Sequence, residues 1–188
     1  MIKIGITGSI ASGKTTASKI ISNQRGKLFS ADKIVKKLYT QIKFKKIISK
    51  KLKFKLNSKF KYYLKKKIYQ KKENLTKLEN IIHPLVRKEM LIFLDNNGNK
   101  KFLFFEIPLL IESNLIKYFD KIIFIKSNKK LRLKRYRLKG GSEKFFSLLD
   151  QRQMKDTKKI KFCDHIVVNN KSLSVLKDNL LNIMKNYE

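Results

Sequence analysis

Residues Gly8-Ser-Ile-Ala-Ser-Gly-Lys-Thr15 follow the apolar run of residues 2–7 without a break and fit the pattern G-x-x-x-x-G-K-[ST]. Each part of that pattern has a mechanical meaning. The glycines let the chain curl until its amide groups form a nest for phosphate oxygens. A helix opening near Thr15 adds its positive end. Lys14 supplies a cation for the β- and γ-phosphates, and the Thr15 hydroxyl is placed to coordinate Mg2+. Such a loop needs a buried strand before it and a helix after it. Both are legible, in residues 2–7 and in the helical spacing of Ala17, Ile20 and Ile21 within residues 15–23. The expectation is an α/β protein with a nucleoside triphosphate on Gly8, Ala11, Ser12, Gly13, Lys14, Thr15 and Thr16.

The rest of the chain alternates in the same way, with one interruption. A short strand fits residues 27–29, and a helix follows over residues 31–39, where Ile34, Val35 and Leu38 make the apolar face. Residues 41–97 are different. They are rich in lysine, with apolar positions such as Leu75, Leu78, Ile82, Leu85 and Val86 at steps mostly of three or four. Fifty-odd residues are too many for an ordinary strand-to-strand connection, so this stretch reads as a helical insertion. Pro84 is expected in the first turn of a helix that starts after His83. The α/β rhythm resumes with Phe102-Leu-Phe-Phe105, a helix near residues 109–118, and a strand over residues 121–126. Helices over residues 128–139 and 143–154, a strand over 164–168 and a helix over 172–186 complete a parallel sheet of five strands flanked by helices.

Composition removes several classes. The 188 residues fit one domain carrying an insertion. Thirteen Phe and seven Tyr supply a core that disordered chains of comparable charge lack. One cysteine, Cys163, leaves no internal disulfide framework. No run approaches the roughly 18 apolar residues of a membrane span, and the opening residues lack the layout of a secretory signal, so the expected location is cytoplasmic. The net charge of +32 suggests nucleic acid at first sight. Yet of 46 cations only six are Arg, the residue whose planar fork reads bases and phosphates. The lysines are spread along the chain, and the charge is read as compositional drift rather than as a nucleic-acid footprint. Asn128-Lys129-Lys130-Leu131 lacks the acid of a guanine-reading Asn-Lys-x-Asp, which argues against a GTPase. A short chain with a phosphate loop, a helical insertion and a late arginine cluster points to a small-molecule kinase.

Further along the chain, more blocks become specific. Ile6-Thr-Gly-Ser-Ile-Ala-Ser-Gly-Lys-Thr-Thr16, Ser30-Ala-Asp-Lys-Ile34, Leu78-Glu-Asn-Ile-Ile-His-Pro-Leu-Val-Arg87, Pro108-Leu-Leu-Ile-Glu112, residues 153–159 and Cys163-Asp-His-Ile-Val-Val-Asn169 occur in that order. Together they resemble the dephospho-coenzyme A kinase family. The resemblance implies ATP-dependent phosphorylation of the 3′-hydroxyl of dephospho-CoA, the last step of coenzyme A synthesis. It also implies a P-loop kinase fold with a five-stranded parallel sheet, a CoA-binding helical region over residues 41–97 and an arginine-bearing lid over about residues 128–155. The implied partners are ATP, Mg2+ and dephospho-CoA. No specific nucleic acid and no membrane are expected, and the chain is expected as a monomer or weak oligomer. The alternatives are a kinase for another nucleoside or nucleotide, and a basic nucleic-acid-binding protein with an ATP site.

Individual roles follow from position and resemblance together. Asp32 follows the second strand, where open sheets place ligands, and can accept a hydroxyl proton or help hold Mg2+; position alone equally allows a helix-start charge. The family commonly has Asp-x-Asp here, and Ser30 stands at the first acid, which loads the role on Asp32. Glu106 ends the third strand, where a Walker B acid would hold Mg2+ through water; a solvated strand-end charge is the other reading. Glu112, His165 and Cys163 are read as structural. His83 and Arg87, one helical turn apart, are assigned to the acceptor, Arg87 as a phosphate clamp. Arg132, Arg135 and Arg137 gather half of the arginines in six residues; Arg137 and then Arg132 are favoured, with Lys14 and Asp32, as catalytic residues.

Overall fold

The apolar runs of this chain form a five-stranded parallel sheet with strand order β2-β3-β1-β4-β5. The strands are β1 (Ile2–Gly8), β2 (Gly26–Ser30), β3 (Phe102–Glu106), β4 (Lys121–Lys126) and β5 (His165–Val168). The computed structural model describes residues 1–188, apart from the side chain of Lys72. The chain divides into two compact units, residues 1–30 with 96–188, and residues 31–95.

In the first unit β1 lies at the centre of the sheet, pairing Ile4 with Phe104 of β3 and Ile6 with Ile123 of β4. A central parallel strand is covered on both faces, which is why β3 and β4 carry unbroken apolar runs and why β1, whose isoleucines alternate with Lys3, Gly5 and Thr7, is buried from Ile4 to Gly8. On one face Ile4, Ile6, Phe104, Ile123 and Ile125 pack with Ala17 and Ile21 of α1 (Lys14–Ser22) and with Leu176, Leu180 and Met184 near the chain end. On the other face Gly5 leaves room for Leu110 and Phe119; a Cβ there would meet Leu110 Cδ1 at 2.6 Å.

The second unit holds α2 (Ala31–Leu38), α3 (Ile42–Lys51), α4 (Phe60–Gln70) and α5 (Lys72–Asp95). Their buried residues recur at i, i+4: Phe44 and Ile48 on α3, then Phe60, Leu64 and Ile68 on α4. Tyr39 packs edge-on against Phe44 with ring centroids 5.4 Å apart. Burial pushes its phenol up to about 12. Several aromatics between the lysines are therefore spent on this core.

The remaining helices belong to the first unit: α6 (Lys129–Leu138), α7 (Glu143–Arg152), α8 (Asp156–Lys159) and α9 (Leu173–Lys185). Asn128, Ser142 and Ser172 cap α6, α7 and α9 by accepting the N–H three residues on.

Two local expectations are corrected. Residues 109–118 do not form a helix: residues 108–114 make turns, and only Ile116–Tyr118 closes a short 3-10 turn. Asn114 takes a left-handed conformation (φ 54°), and the Leu115 N–H bonds back to the Leu110 carbonyl at 3.0 Å, a helix-stop geometry that buries Leu110, Ile111 and Leu115. Pro84 does not start a helix but lies inside α5. The helix runs through it, at the cost of one ladder bond, because Leu78 before the proline and Val86 and Met90 after it are all buried.

Asp164 ties β4 to the start of β5. Its carboxylate accepts the Ile122 N–H at 2.8 Å and faces Lys121 Nζ at 3.3 Å. Burial alone would raise its pKa, but the Ile122 N–H and the Lys121 ammonium outweigh burial and hold it below the ordinary 3.8. A carboxyl depressed in the folded state adds stability above its unfolded pKa, and that stability is lost as pH falls through the lower folded value. Asp164→Ala is expected to lower stability by about 1 kcal/mol near neutral pH, mostly through the lost N–H acceptor, since the exposed ion pair adds little. Urea denaturation at neutral pH and near pH 3 checks this: the gap between variant and wild type narrows in acid.

Candidate active site

The loop between β1 and α1 is curled by three residues with positive φ: Gly8 at 151°, Ala11 at 58° and Gly13 at 99°. Two glycines are required by space as well. A Cβ on Gly8 would lie 2.4 Å from the Ile125 carbonyl oxygen, and one on Gly13 would lie 2.1 Å from Asn169 Nδ2. The curl brings the Ser12 N–H to the Ser9 carbonyl at 3.1 Å. Lys14 folds back over the loop, and its Nζ donates to the Ser9 carbonyl at 2.9 Å. The Ala17 N–H bonds to the Gly13 carbonyl at the start of α1, and the N–H groups of Thr15 and Thr16, in the first turn, have no carbonyl within the helix to meet. They and the helix dipole make an anion-binding end.

Beneath the loop lies Glu106, the last residue of β3, only 1% exposed. That burial excludes the reading of a solvated strand-end charge. Its Oε1 accepts the Thr15 hydroxyl at 2.5 Å and its Oε2 accepts the Ser30 hydroxyl at 2.9 Å. Parallel register explains the convergence, since Ser30 of β2 pairs with Glu106 at the carboxyl ends of both strands. A hydroxyl beside a buried carboxylate is an all-oxygen donor set, which fits Mg2+ and its retained waters. Among the described residues, no cluster of three His, Cys, Asp or Glu side chains offers another metal site.

The outer side of the loop is held by side chains from far along the chain. Asn169 Nδ2 donates to the Ser12 carbonyl at 2.9 Å, and Arg135 reaches the same carbonyl at 3.3 Å and the Asn169 carbonyl at 3.1 Å. Arg132 donates to the Ile10 carbonyl at 3.3 Å and pairs with Asp150 at 2.6 Å. Burial lowers the Arg135 pKa from its ordinary value.

A strand, a curled glycine loop closing on a lysine and a buried strand-end acid meet at one end of the sheet, and the similarity to known proteins shows the family. The dephospho-CoA kinase family model matches residues 2–174. The chain belongs to the dephospho-CoA kinase family. A dephospho-CoA kinase from Rickettsia bellii is 31% identical over the whole of this chain and 98% of its own length. The solved dephospho-CoA kinase from Campylobacter jejuni is 30% identical, with a TM-score of 0.66, covering 98% of this chain and 96% of that one. The structure of TT1252 from Thermus thermophilus shares the fold at a TM-score of 0.78 and 22% identity, over 100% of this chain and 98% of that one. The expected α/β class, with five parallel strands flanked by helices, is the observed one.

Within this dephospho-CoA kinase fold, Gly8, Ala11, Ser12, Gly13, Lys14, Thr15 and Thr16 lie together in the loop and the first turn of α1, and Glu106 joins them. Asp32 is an exposed acid in the first turn of α2. His83 and Arg87 sit one turn apart on α5 and line one surface groove with Pro84, Lys88, Leu91 and Ile92. The three arginines of α6 separate by face: Arg132 and Arg135 reach the loop, while Arg137 pairs with Glu143 on the exposed side. Glu112 is structural, joined to the fully buried Lys159 at 2.9 Å. His165 meets the Tyr187 hydroxyl at 2.6 Å. Cys163 donates its thiol to the Lys159 carbonyl, and burial pushes that thiol up to about 11. Arg135, in the expected lid cluster but not favoured there, reaches the loop, and residues with no expected catalytic or binding role also reach the site: Ser30, Gln153, Asp156 and Asn169. Gln153, Asp156 and Asn169 sit inside blocks that carried the family resemblance, and that placement was their only signal.

Proposed function

We propose that the protein transfers the γ-phosphoryl group of ATP to the 3′-hydroxyl of dephospho-CoA. The observation that carries this reading is the junction of Thr15 and Ser30 on the buried carboxylate of Glu106, directly under the loop that presents Lys14. In this reading the loop amides and Lys14 hold the β- and γ-phosphates, and Lys14 exchanges its Ser9 carbonyl partner for phosphate oxygens. Thr15 and Glu106 would hold Mg2+, which when bound would offset the negative charge of the phosphate groups.

Asp32 is assigned to the acceptor hydroxyl. As that oxygen bonds to the γ-phosphorus, its proton passes to the carboxylate and the bond to ADP breaks. Residues 41–97 are assigned to the acceptor, with His83 and Arg87 toward its phosphates. Residues 128–155 are assigned as the lid, whose arginines stabilise the transferring group.

An acceptor panel with labelled ATP tests the assignment. Dephospho-CoA is expected to take label at the highest kcat/KM. Preferential labelling of a nucleoside, a nucleoside monophosphate or shikimate would replace the proposed acceptor and leave the ATP site standing.

A further inference from the structure

The phosphate loop carries a strained residue at its apex. Ala11 is held at φ 58°, a region that costs a side-chain-bearing residue free energy and persists only when its surroundings over-determine it. The residues on both sides of it, Ile10 and Ser12, are gripped from outside through their main chain. On the near side, Gln153 Oε1 accepts the Ile10 N–H at 2.8 Å while Arg132 donates to the Ile10 carbonyl. On the far side, Asn169 and Arg135 hold the Ser12 carbonyl. One residue earlier, the Ser9 hydroxyl donates to Asp156. Ser9 in turn offers its carbonyl to both Lys14 Nζ and the Ser12 N–H.

We propose that Gln153 and Asp156 are positioning residues that hold the phosphate loop in its ATP-receiving shape before ATP arrives. The proposal rests on the reading of this loop as the ATP site. Gln153 removes the Ile10 N–H from the set that can turn inward, and so sets the plane of the Ser9–Ile10 peptide, the one before the peptide that leads into Ala11. Asp156 anchors Ser9 and thereby sets where Lys14 rests. Neither side chain needs to touch phosphate; both act through the loop main chain. Without them the apex can relax from its left-handed turn, and ATP must then supply the ordering free energy on binding. The segment that bears them is itself fixed, because Lys159 at the end of α8 is fully buried and donates to Glu112 and to the Pro108 carbonyl.

The test uses the full-length protein with the variants Gln153→Met, Asp156→Ala and Asp156→Asn. Gln153→Met keeps the length and bulk of the side chain and removes the acceptor oxygen; Asp156→Asn keeps an acceptor oxygen for the Ser9 hydroxyl. Equilibrium binding of a fluorescent ATP analogue, KM for ATP, KM for dephospho-CoA and thermal denaturation are measured for each. Gln153→Met and Asp156→Ala are each expected to weaken analogue binding and raise KM for ATP by about fivefold, the worth of one net hydrogen bond. KM for dephospho-CoA and the melting temperature stay near wild type, and Asp156→Asn recovers most of the loss. Unchanged analogue binding in Gln153→Met and Asp156→Ala would overturn the proposal, as would a loss that follows the melting temperature or an Asp156→Asn variant as weak as the alanine. If wild type fails to phosphorylate dephospho-CoA while the variants still lose ATP-analogue binding, the acceptor assignment falls and the positioning role stands.

Discussion

Lys14→Ala is expected to reduce phosphoryl transfer to dephospho-CoA by about 100- to 1,000-fold, the range for removing one preorganised charge donor from a transition state. Lys14 is 6% exposed and reaches over the loop to the Ser9 carbonyl. A buried ammonium that donates to a carbonyl of the phosphate loop is poised to move onto phosphate oxygens. Its removal leaves the developing charge on the γ-phosphoryl group without its mobile cation. The apolar packing of α1 on the sheet does not depend on it, since Ala17 and Ile21 supply the core contacts of that helix. The melting temperature should therefore change little, and circular dichroism should match wild type. Lys14→Arg is expected to restore little, because a planar fork cannot follow the path of a compact ammonium in so tight a loop. Steady-state kinetics with saturating dephospho-CoA gives the answer, and turnover equal to wild type in the alanine variant would remove the loop from the mechanism.

The largest effect on stability is expected at Lys159. Its side chain is fully buried, with Nζ 2.9 Å from Glu112 Oε1 and 3.2 Å from the Pro108 carbonyl. Glu112 also accepts the Met154 N–H, and its Oε2 is buried with no hydrogen-bond partner among the described residues. Lys159→Ala removes the ammonium and leaves a largely buried carboxylate uncompensated, which costs about 3–5 kcal/mol. For a chain of this size that lowers the melting temperature by about 10 °C. The double variant Glu112→Leu, Lys159→Met is expected to recover most of the loss, because two packed apolar side chains need no ionic partner. Thermal denaturation of the three proteins separates the outcomes. A single variant as stable as wild type would overturn the reading of Lys159 as the charge that compensates Glu112.

How much of this was legible in the chain depends on the range of the interaction. The β1–loop–α1 unit is contiguous, and its pattern of apolar run, glycines, lysine and helical spacing states its own geometry. The helices of residues 31–95 are legible for the same reason, since Phe44, Ile48, Phe60, Leu64 and Ile68 repeat at helical intervals. Pro84 and residues 109–118 misled because their local signals were overridden. Burial on both sides of the proline carried α5 through it, and the left-handed turn at Asn114 broke a run that otherwise reads as helical.

The candidate site divides along the same line. Lys14 and Thr15 belong to a local motif and can be named from it. Ser30 was visible only as a departure from an expected acid, and its role as a donor to Glu106 depends on strand register. Within α6, periodicity places Arg132 and Arg135 one turn apart but does not say which face of the helix meets the loop.

The sequence by itself determined the sheet strands, the curled phosphate loop and the family, because each is written in neighbouring residues whose backbone preferences and apolar spacing act over a few positions. The tertiary structure alone decided which side chains hold that loop. Thr15 and Glu106 are 91 residues apart, and Ser9 and Asp156 are 147 apart. Bonds of that range exist only once parallel strands align their carboxyl ends and the helices after β4 pack back on the loop.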